Sequence, residues 1–283
     1  MKRLIEELSE RHSLTEAQWA RLIAGETDEL RDYAARLAVS FRERIYGKTV
    51  FTRGLIEFSN YCRNNCYYCG IRRDNSKPER YRLSEEEILD CCKNGYELGF
   101  RTFVLQSGED PYFTDERMES IIRKIKLGYP DCALTLSIGE KEYGSYRRFF
   151  EAGADRYLLR HETADSSHYA LLHPPELSFA HRMDCLQNLK EIGYQVGCGF
   201  MVGSPGQTPE TLAKDMKFIE TLQPDMVGIG PFIPHSHTPF AGKRGGSLSG
   251  TLFLLSLLRL LKPNLLLPAT TALGTIDPQG REK

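Results

Sequence analysis

Residues 54–70 read GLIEFSNYCRNNCYYCG: a short apolar run, then at once three cysteines, Cys62, Cys66 and Cys69, in a C-x3-C-x2-C spacing. Gly54–Asn60 has the length and composition of a buried strand, which puts the cysteines in the loop at its C-terminal end. Three thiolates within eight residues can converge on one inorganic centre. A structural zinc normally takes four ligands, and no second CxxC or HxxxH pair stands elsewhere in the chain. A cubane has four irons, so three cysteines leave one iron open to a substrate or cofactor. The bland alternatives are a zinc knob completed by a distant histidine, or buried thiols that meet by chance.

Outward from this stretch the pattern is strand and helix in alternation. Further strands are expected at Thr102–Gly108, Ala133–Gly139, Arg156–Glu162, Val196–Gly203, Met226–Ile233 and Asn264–Leu273. Between them, apolar residues three and four apart predict helices over Glu85–Leu98, Asp115–Leu127, Ser145–Ala152, Phe179–Ile192, Pro209–Leu222 and Ser249–Leu261. Ser84 and Glu87 have capping-box spacing, and Gly99, Gly128, Gly153 and Gly193 fall where helix-ending glycines belong. This order implies right-handed crossovers and a parallel sheet, an α/β fold with seven recognisable strands, one short of a closed (β/α)8 barrel. The first 48 residues read as a helical extension, with capping-box spacing at Ser13 and Glu16; residues 49–283 form the barrel. Polar and glycine-rich residues gather just after the strand ends, at Ser59-Asn60, Ser107 to Asp110, Gly139-Glu140, His161 to Thr163 and Gly203 to Gly206. In a parallel barrel those ends share the face where active sites are built, so the placement favours an enzyme.

Composition narrows the class. The 283 residues carry 37 basic and 38 acidic side chains, a net charge of -1 that argues against a general nucleic-acid or membrane-surface binder. The longest apolar run, Leu248 to Leu267, is broken by Arg259, Lys262, Pro263 and Asn264, so no membrane crossing is expected. The start of the chain lacks the apolar segment of a secretory signal, which makes a reducing cytoplasm the expected compartment. Eight cysteines are too few for a disulfide scaffold of this length; Cys91, Cys92, Cys132, Cys185 and Cys198 read as small apolar residues.

The cysteine motif after the first barrel strand resembles the radical S-adenosylmethionine (radical SAM) superfamily. IEFSNYCRNNCYYCGIRRDN (56–75), VLQSGEDPY (104–112), EAGADRYLLRHETA (151–164), MVGSPGQTPETL (201–212), DMVGIGPFIPH (225–235) and PATTALGTIDPQGRE (268–282) together resemble the HydE family, the maturases that help build the H-cluster of FeFe-hydrogenases. Biotin synthase and methylornithine synthase share the cysteine motif, but the RHETA and GIGPFIPH blocks favour HydE. The resemblance implies a TIM-type barrel and a 4Fe-4S cluster on Cys62, Cys66 and Cys69. The open iron would chelate SAM, and one electron from an external donor would cleave it to methionine and a 5′-deoxyadenosyl radical. It further implies a small anionic or iron-bound, cysteine-derived substrate, with functional links to the HydG and HydF maturases. Methylornithine synthase chemistry, or a non-catalytic iron–sulfur scaffold, are the alternatives.

The same resemblance assigns Tyr68, Gln106, Ser107, Gly108, Glu109, Glu162, Arg182 and Gly230 to SAM. Here Ser107-Gly108-Glu109 stands where relatives have a Gly-Gly-Glu-like turn for the SAM amino group. Glu162 and Arg182 match contacts to its ribose and carboxylate, although from the residues alone Arg182 would read as a solvated charge at a helix start. Arg156 and Arg160, four apart on one strand, point to one face and require either carboxylates such as Glu57 or a cavity holding an anion. HydE favours the cavity, with Arg160, Thr270 and Thr271 at a substrate carboxylate and Met226 beside SAM; Met226 could equally be core packing. His161, His235 and His237 read as hydrogen-bonding groups, not metal ligands. HydE-like chains continue past the last block with an eighth strand and a final helix, so this chain is expected to be a fragment with an open barrel and unpaired strand edges.

Overall fold

The computed structural model describes residues 1–282. Helix starts are set by short polar side chains. Thr15, Thr27, Ser84, Thr114, Asp165, Ser178, Thr208 and Ser247 each accept a backbone N–H of the first turn, a contribution of about 1 kcal/mol per cap. The N-terminal helices are α1 (Lys2–Arg11), α2 (Glu16–Ala24) and α3 (Asp28–Tyr46). Then follow β1 (Gly54–Ser59), α4 (Glu85–Glu97), β2 (Thr102–Ser107), α5 (Asp115–Gly128), β3 (Ala133–Ser137), α6 (Tyr143–Ala152), β4 (Arg156–Leu158), α7 (Ser166–Leu172) and α8 (Phe179–Ile192). The chain continues with β5 (Gln195–Cys198), β6 (Met201–Val202), α9 (Pro209–Leu222), β7 (Met226–Val227), β8 (Gly230–Pro231), α10 (Leu248–Leu261) and α11 (Thr271–Ile276).

All ladders between these strands are parallel. The main sheet runs β1-β2-β3-β4-β5-β7, and β6 pairs with β8. Consecutive parallel neighbours joined by helices place every strand C-terminus on one face, as a barrel requires. Two expected strands are each split in two. At the break, a Cβ on Gly199 would lie 2.0 Å from the Gly228 carbonyl oxygen, so the backbones cross closer than any side chain allows. The expected strand at Asn264–Leu273 does not form. Pro263 and Pro268 remove ladder donors on either side, only Leu266 bridges to Met226, and from Thr271 the chain is helical. Strand four ends at Leu158, short of the expected Glu162, which takes a left-handed φ of 64°. Two helix signals also shift. The N-terminal capping box is Thr15 with Gln18, while Ser13 binds Glu220; Gly128 closes the last helical turn of α5 without a positive φ.

Apart from a smaller cluster of Leu172, Met201 and Phe232, the core is an apolar cluster between the sheet and its helices. Phe58, Phe103, Leu105, Leu134, Tyr157 and Val196 of the strands share it with Met118, Ile122, Leu186, Met216 and Leu257 of the helices. The N-terminal helices join the same cluster through Leu4, Ile5, Leu8, Trp19 and Leu22, with α2 packed on α9 and α3 on α10. Among the described residues no helix is long and apolar enough to cross a membrane.

Trp19 is completely buried between α2 and the barrel helices. Trp19→Ala should therefore cost about 3–5 kcal/mol within a single cooperative urea transition followed by circular dichroism. A separate early transition would show that the N-terminal helices melt on their own.

Candidate active site

The loop after β1 carries the three cysteines, and a network of polar contacts holds it. Arg80 donates to the carbonyls of Asn60, Ile71, Arg72 and Asn75, closing the loop from beneath. Asn65 donates to Asp74 (2.5 Å) and accepts from Arg72 (2.7 Å), and the Tyr67 N–H reaches the Leu172 carbonyl (3.0 Å). On its inner side the loop lies against the turn after β2. A Cβ on Gly108 would meet the Tyr61 carbonyl oxygen at 2.3 Å and Cys62 Cβ at 2.7 Å, so only glycine admits this approach. Burial pushes the Cys62 and Cys66 thiols up and Cys69 to about 11. The three sulfurs are coupled through charge, and Arg182 pulls Cys66 back toward the thiolate. Metal binding must displace these protons.

The donor set suits a cubane: the three thiols lie on one loop, Cys66 buried and Cys62 and Cys69 partly exposed. A 4Fe-4S cluster takes each thiolate on a different iron, and thiolates spread along one loop suit it.

A chain of charged contacts spans the mouth of the barrel from this loop, starting at the exposed Arg63 and buried from Glu109 inward. Arg63, inside the cysteine motif, donates its N–H to the Glu109 carbonyl (2.9 Å) and its Nε–H to Glu109 Oε2 (3.0 Å). The other oxygen of Glu109 accepts the Glu140 N–H at 2.8 Å. The Glu140 carboxylate accepts from Arg182 Nε, and Arg182 Nη1 donates to the Arg160 carbonyl at 2.7 Å. Burial alone would lower Arg182, but Glu140 with Tyr169 and Tyr68 holds its guanidinium charged well above the ordinary value. Four βα turns and the start of α8 are thereby tied together. Glu109 and Arg182 thus already have partners within the protein, which the resemblance did not indicate.

Beside this chain lies a cavity of about 210 Å3 lined by Tyr68, Arg160, Met201, Gly230, Phe232 and Thr270 among others. Arg160 Nη2 stands 3.3 Å from Glu162 Oε2, yet neither atom, nor Arg160 Nε, has a hydrogen-bond partner although all are buried. Such orphaned polar atoms require a polar ligand or water. Glu162 holds its left-handed turn through an N–H bond to the Gly199 carbonyl (3.0 Å), at a backbone cost of about 1–3 kcal/mol. Tyr68 donates to His173 Nε2 (3.1 Å), and His173 Nδ1–H donates to the Tyr169 carbonyl (3.0 Å) while its ring stacks on Tyr169. His173 and α7 were not anticipated; a buried tyrosine hydroxyl needs a partner, which is the signal that could have pointed to one.

The other assigned residues scatter. Gln106 reaches Glu57 (3.3 Å) inside the sheet, so Glu57 is not the partner of either strand-four arginine. Ser107 Oγ donates to the Gly108 carbonyl, Thr270 Oγ1 donates to the Ile229 carbonyl, and Thr271 is exposed at the start of α11. Met226 lies at the opposite end of the barrel. There, with Arg53, Arg156, Gln195 and Asp225, it lines a second cavity of about 510 Å3, and its sulfur accepts from Arg53 at 3.2 Å. Arg156 and Arg160 therefore open onto different cavities, and Arg156 is held by Gln195 (2.7 Å).

Two predictions follow from the buried charges. Arg182→Leu leaves Glu140 uncompensated and should cost about 3–5 kcal/mol in urea denaturation, whereas Arg182→Leu/Glu140→Leu should cost less. A double variant less stable than the single would contradict the pairing. Burial, reinforced by Arg182, lowers His173 to about 3. Its folded-state value lies below the unfolded one, so the stability it contributes is complete above about pH 6.5 and falls by up to about 1.4 kcal/mol per unit as the solution is acidified toward pH 3. His173→Gln should show a shallower acid slope; an unchanged slope would place His173 outside the acid response.

Known proteins agree with this geometry. Residues 56–219 match the model of the Radical SAM superfamily. The chain is 49% identical over 248 residues to the [FeFe] hydrogenase maturase subunit HydE of Thermotoga maritima, covering 87% of this chain and 70% of that one. It is 31% identical to 3-methylornithine synthase of Methanosarcina acetivorans, over 98% of this chain and 79% of that protein. The crystal structure of methylornithine synthase (PylB) superposes with a TM-score of 0.87 at 29% identity, covering 98% of this chain and 83% of its own. A cysteine-bearing loop on the mouth of a parallel barrel, a superfamily match across that loop and 49% identity to HydE lead to one conclusion: the chain belongs to the radical SAM superfamily and, within it, to the HydE family.

Proposed function

We propose that this protein acts as a HydE-type maturase, on a small, anionic, cysteine-derived substrate that carries iron. The observation that carries this reading is the pairing of an open-site cysteine triplet with a cavity lined by Arg160, whose ion pair with Glu162 leaves buried polar atoms of both side chains without a hydrogen bond. Cys62, Cys66 and Cys69 hold the 4Fe-4S cluster. When bound, the cluster supplies the single electron that cleaves SAM to methionine and a 5′-deoxyadenosyl radical.

The protein's own residues do the rest. Arg80 and Gly108 hold the cysteine loop against the turn after β2 at the barrel mouth. Tyr68, fixed by His173, and Gly230 offer flat surface for an adenine. Glu162, whose Oε2 is ion-paired with Arg160 but not hydrogen-bonded, offers a carboxylate to ribose hydroxyls. Arg160, without a hydrogen bond at Nε and Nη2, lines the cavity with a guanidinium suited to a carboxylate, with Thr270 on the same wall. Buried aromatic walls keep water from reactive intermediates. The resemblance to HydE supports an external electron donor, a substrate delivered by HydG, onward transfer involving HydF and a cytoplasmic setting.

Two comparisons test the assignment. Cys62→Ala, Cys66→Ala or Cys69→Ala should each abolish cluster incorporation, measured as iron and sulfide, while Cys198→Ala should retain it; loss of the chromophore in Cys198→Ala would refute the ligand set. Arg160→Leu should still cleave SAM to 5′-deoxyadenosine under dithionite, yet fail to support hydrogenase maturation in a HydE-deficient lysate. Full maturation by Arg160→Leu would remove Arg160 from the substrate site.

A further inference from the structure

Glu162, whose Oε2 stands 3.3 Å from the cavity-lining Arg160, has a strained left-handed backbone with φ 64°, and the groups that hold it there lie outside the cavity lining. Asp215, on α9, is completely buried and does not line the cavity. Its Oδ1 accepts the Ala164 N–H at 2.6 Å, two residues past Glu162. The same oxygen lies 3.3 Å, in bent geometry, from Nε2 of His161, the residue just before Glu162 and also completely buried. His161 Nδ1 accepts the Gly199 N–H (3.3 Å), while the Gly199 carbonyl receives the Glu162 N–H (3.0 Å). One helix further secures the turn at Asp165, which Lys214 grips at 2.6 Å. The left-handed residue is thus clamped on both sides from outside the site.

We propose that Asp215 is a positioning residue: by fixing the His161–Ala164 turn it sets the aim of the Glu162 carboxylate, and with it the affinity for the ribose end of SAM. This rests on the reading of Glu162 given above. Burial favours the protonated form of Asp215, with His161 and the Ala164 N–H opposing it; in either form Oδ1 accepts the Ala164 N–H. What matters is therefore an oxygen at that position more than its charge. An alanine there would leave the Ala164 N–H without an acceptor, and nothing else on α9 reaches it. The strained turn would then relax, and Glu162 would swing off its aim without any change in the cavity's own lining.

The test uses the cluster-loaded full chain and four variants: Asp215→Ala, Asp215→Asn, Glu162→Gln, and Asp215→Ala combined with Glu162→Gln. Iron content and near-ultraviolet circular dichroism monitor cluster and fold. SAM affinity is read from the change that SAM produces in the electron paramagnetic resonance spectrum of the reduced cluster. Asp215→Ala should bind SAM about tenfold more weakly at unchanged iron content. Asp215→Asn, which keeps an oxygen acceptor, should stay within about twofold of the parent. The double variant should bind no more weakly than the weaker single variant, because both act through one carboxylate. Parent-like affinity in Asp215→Ala, a tenfold loss in Asp215→Asn, or losses that add in the double variant would each overturn the proposal. Parent-like affinity in Glu162→Gln would instead refute the role of Glu162 on which it rests. Should Asp215→Ala lose its near-ultraviolet signal, the Asp215→Asn and Glu162→Gln results still decide.

Discussion

Everything at the barrel mouth depends on charges paired in a fixed order, buried from Glu109 inward. From Arg63 to Glu109, Glu140, Arg182 and the Arg160 carbonyl, each group is satisfied by the next. Parallel strands deliver their ends to one face but do not by themselves hold the loops that follow. A buried ion costs several kcal/mol unless paired, so this chain of contacts tolerates one arrangement of the turns. The cysteine loop, at its outer end, inherits that arrangement through Arg63. The cavity, at its inner end, inherits it through Arg160.

The consequence is a division of labour among similar side chains. Arg182 and Glu109 are taken up by the frame, while Arg160 and Glu162, ion-paired with each other, keep buried atoms without a hydrogen bond. That asymmetry separates residues that build the site from those left to meet a ligand. It also explains why two strand-four arginines, equivalent in spacing, have different surroundings: Arg156 bonds Gln195 at the far end, and Arg160 stands at the mouth.

Much of this was legible in the sequence. The cysteine spacing, the strand–helix alternation and the capping signal at Ser84 are local features, and local physics sets them. The helices Phe179–Ile192 and Pro209–Leu222 begin and end where periodicity places them. Long-range pairing was not legible. Nothing near Arg182 announces Glu140, 42 residues away, and nothing near Tyr68 announces His173, 105 residues away. Residues 264–273 carry strand-like composition, but Pro263 before them, Pro268 within them and the helix that starts at Thr271 turn them aside. Met226 shows the limit of carrying a role across a family: its strand is where the motif puts it, yet its side chain packs toward the opposite cavity.

The central claim is that three cysteines leave one iron of a cubane open to SAM. Electron–nuclear double resonance on the reduced, reconstituted protein with SAM labelled with 15N at the amino group and 17O at the carboxylate tests it most directly. The account predicts nitrogen and oxygen hyperfine couplings from atoms bound to the cluster. A cluster spectrum with no coupling to either label, at saturating SAM, would contradict it.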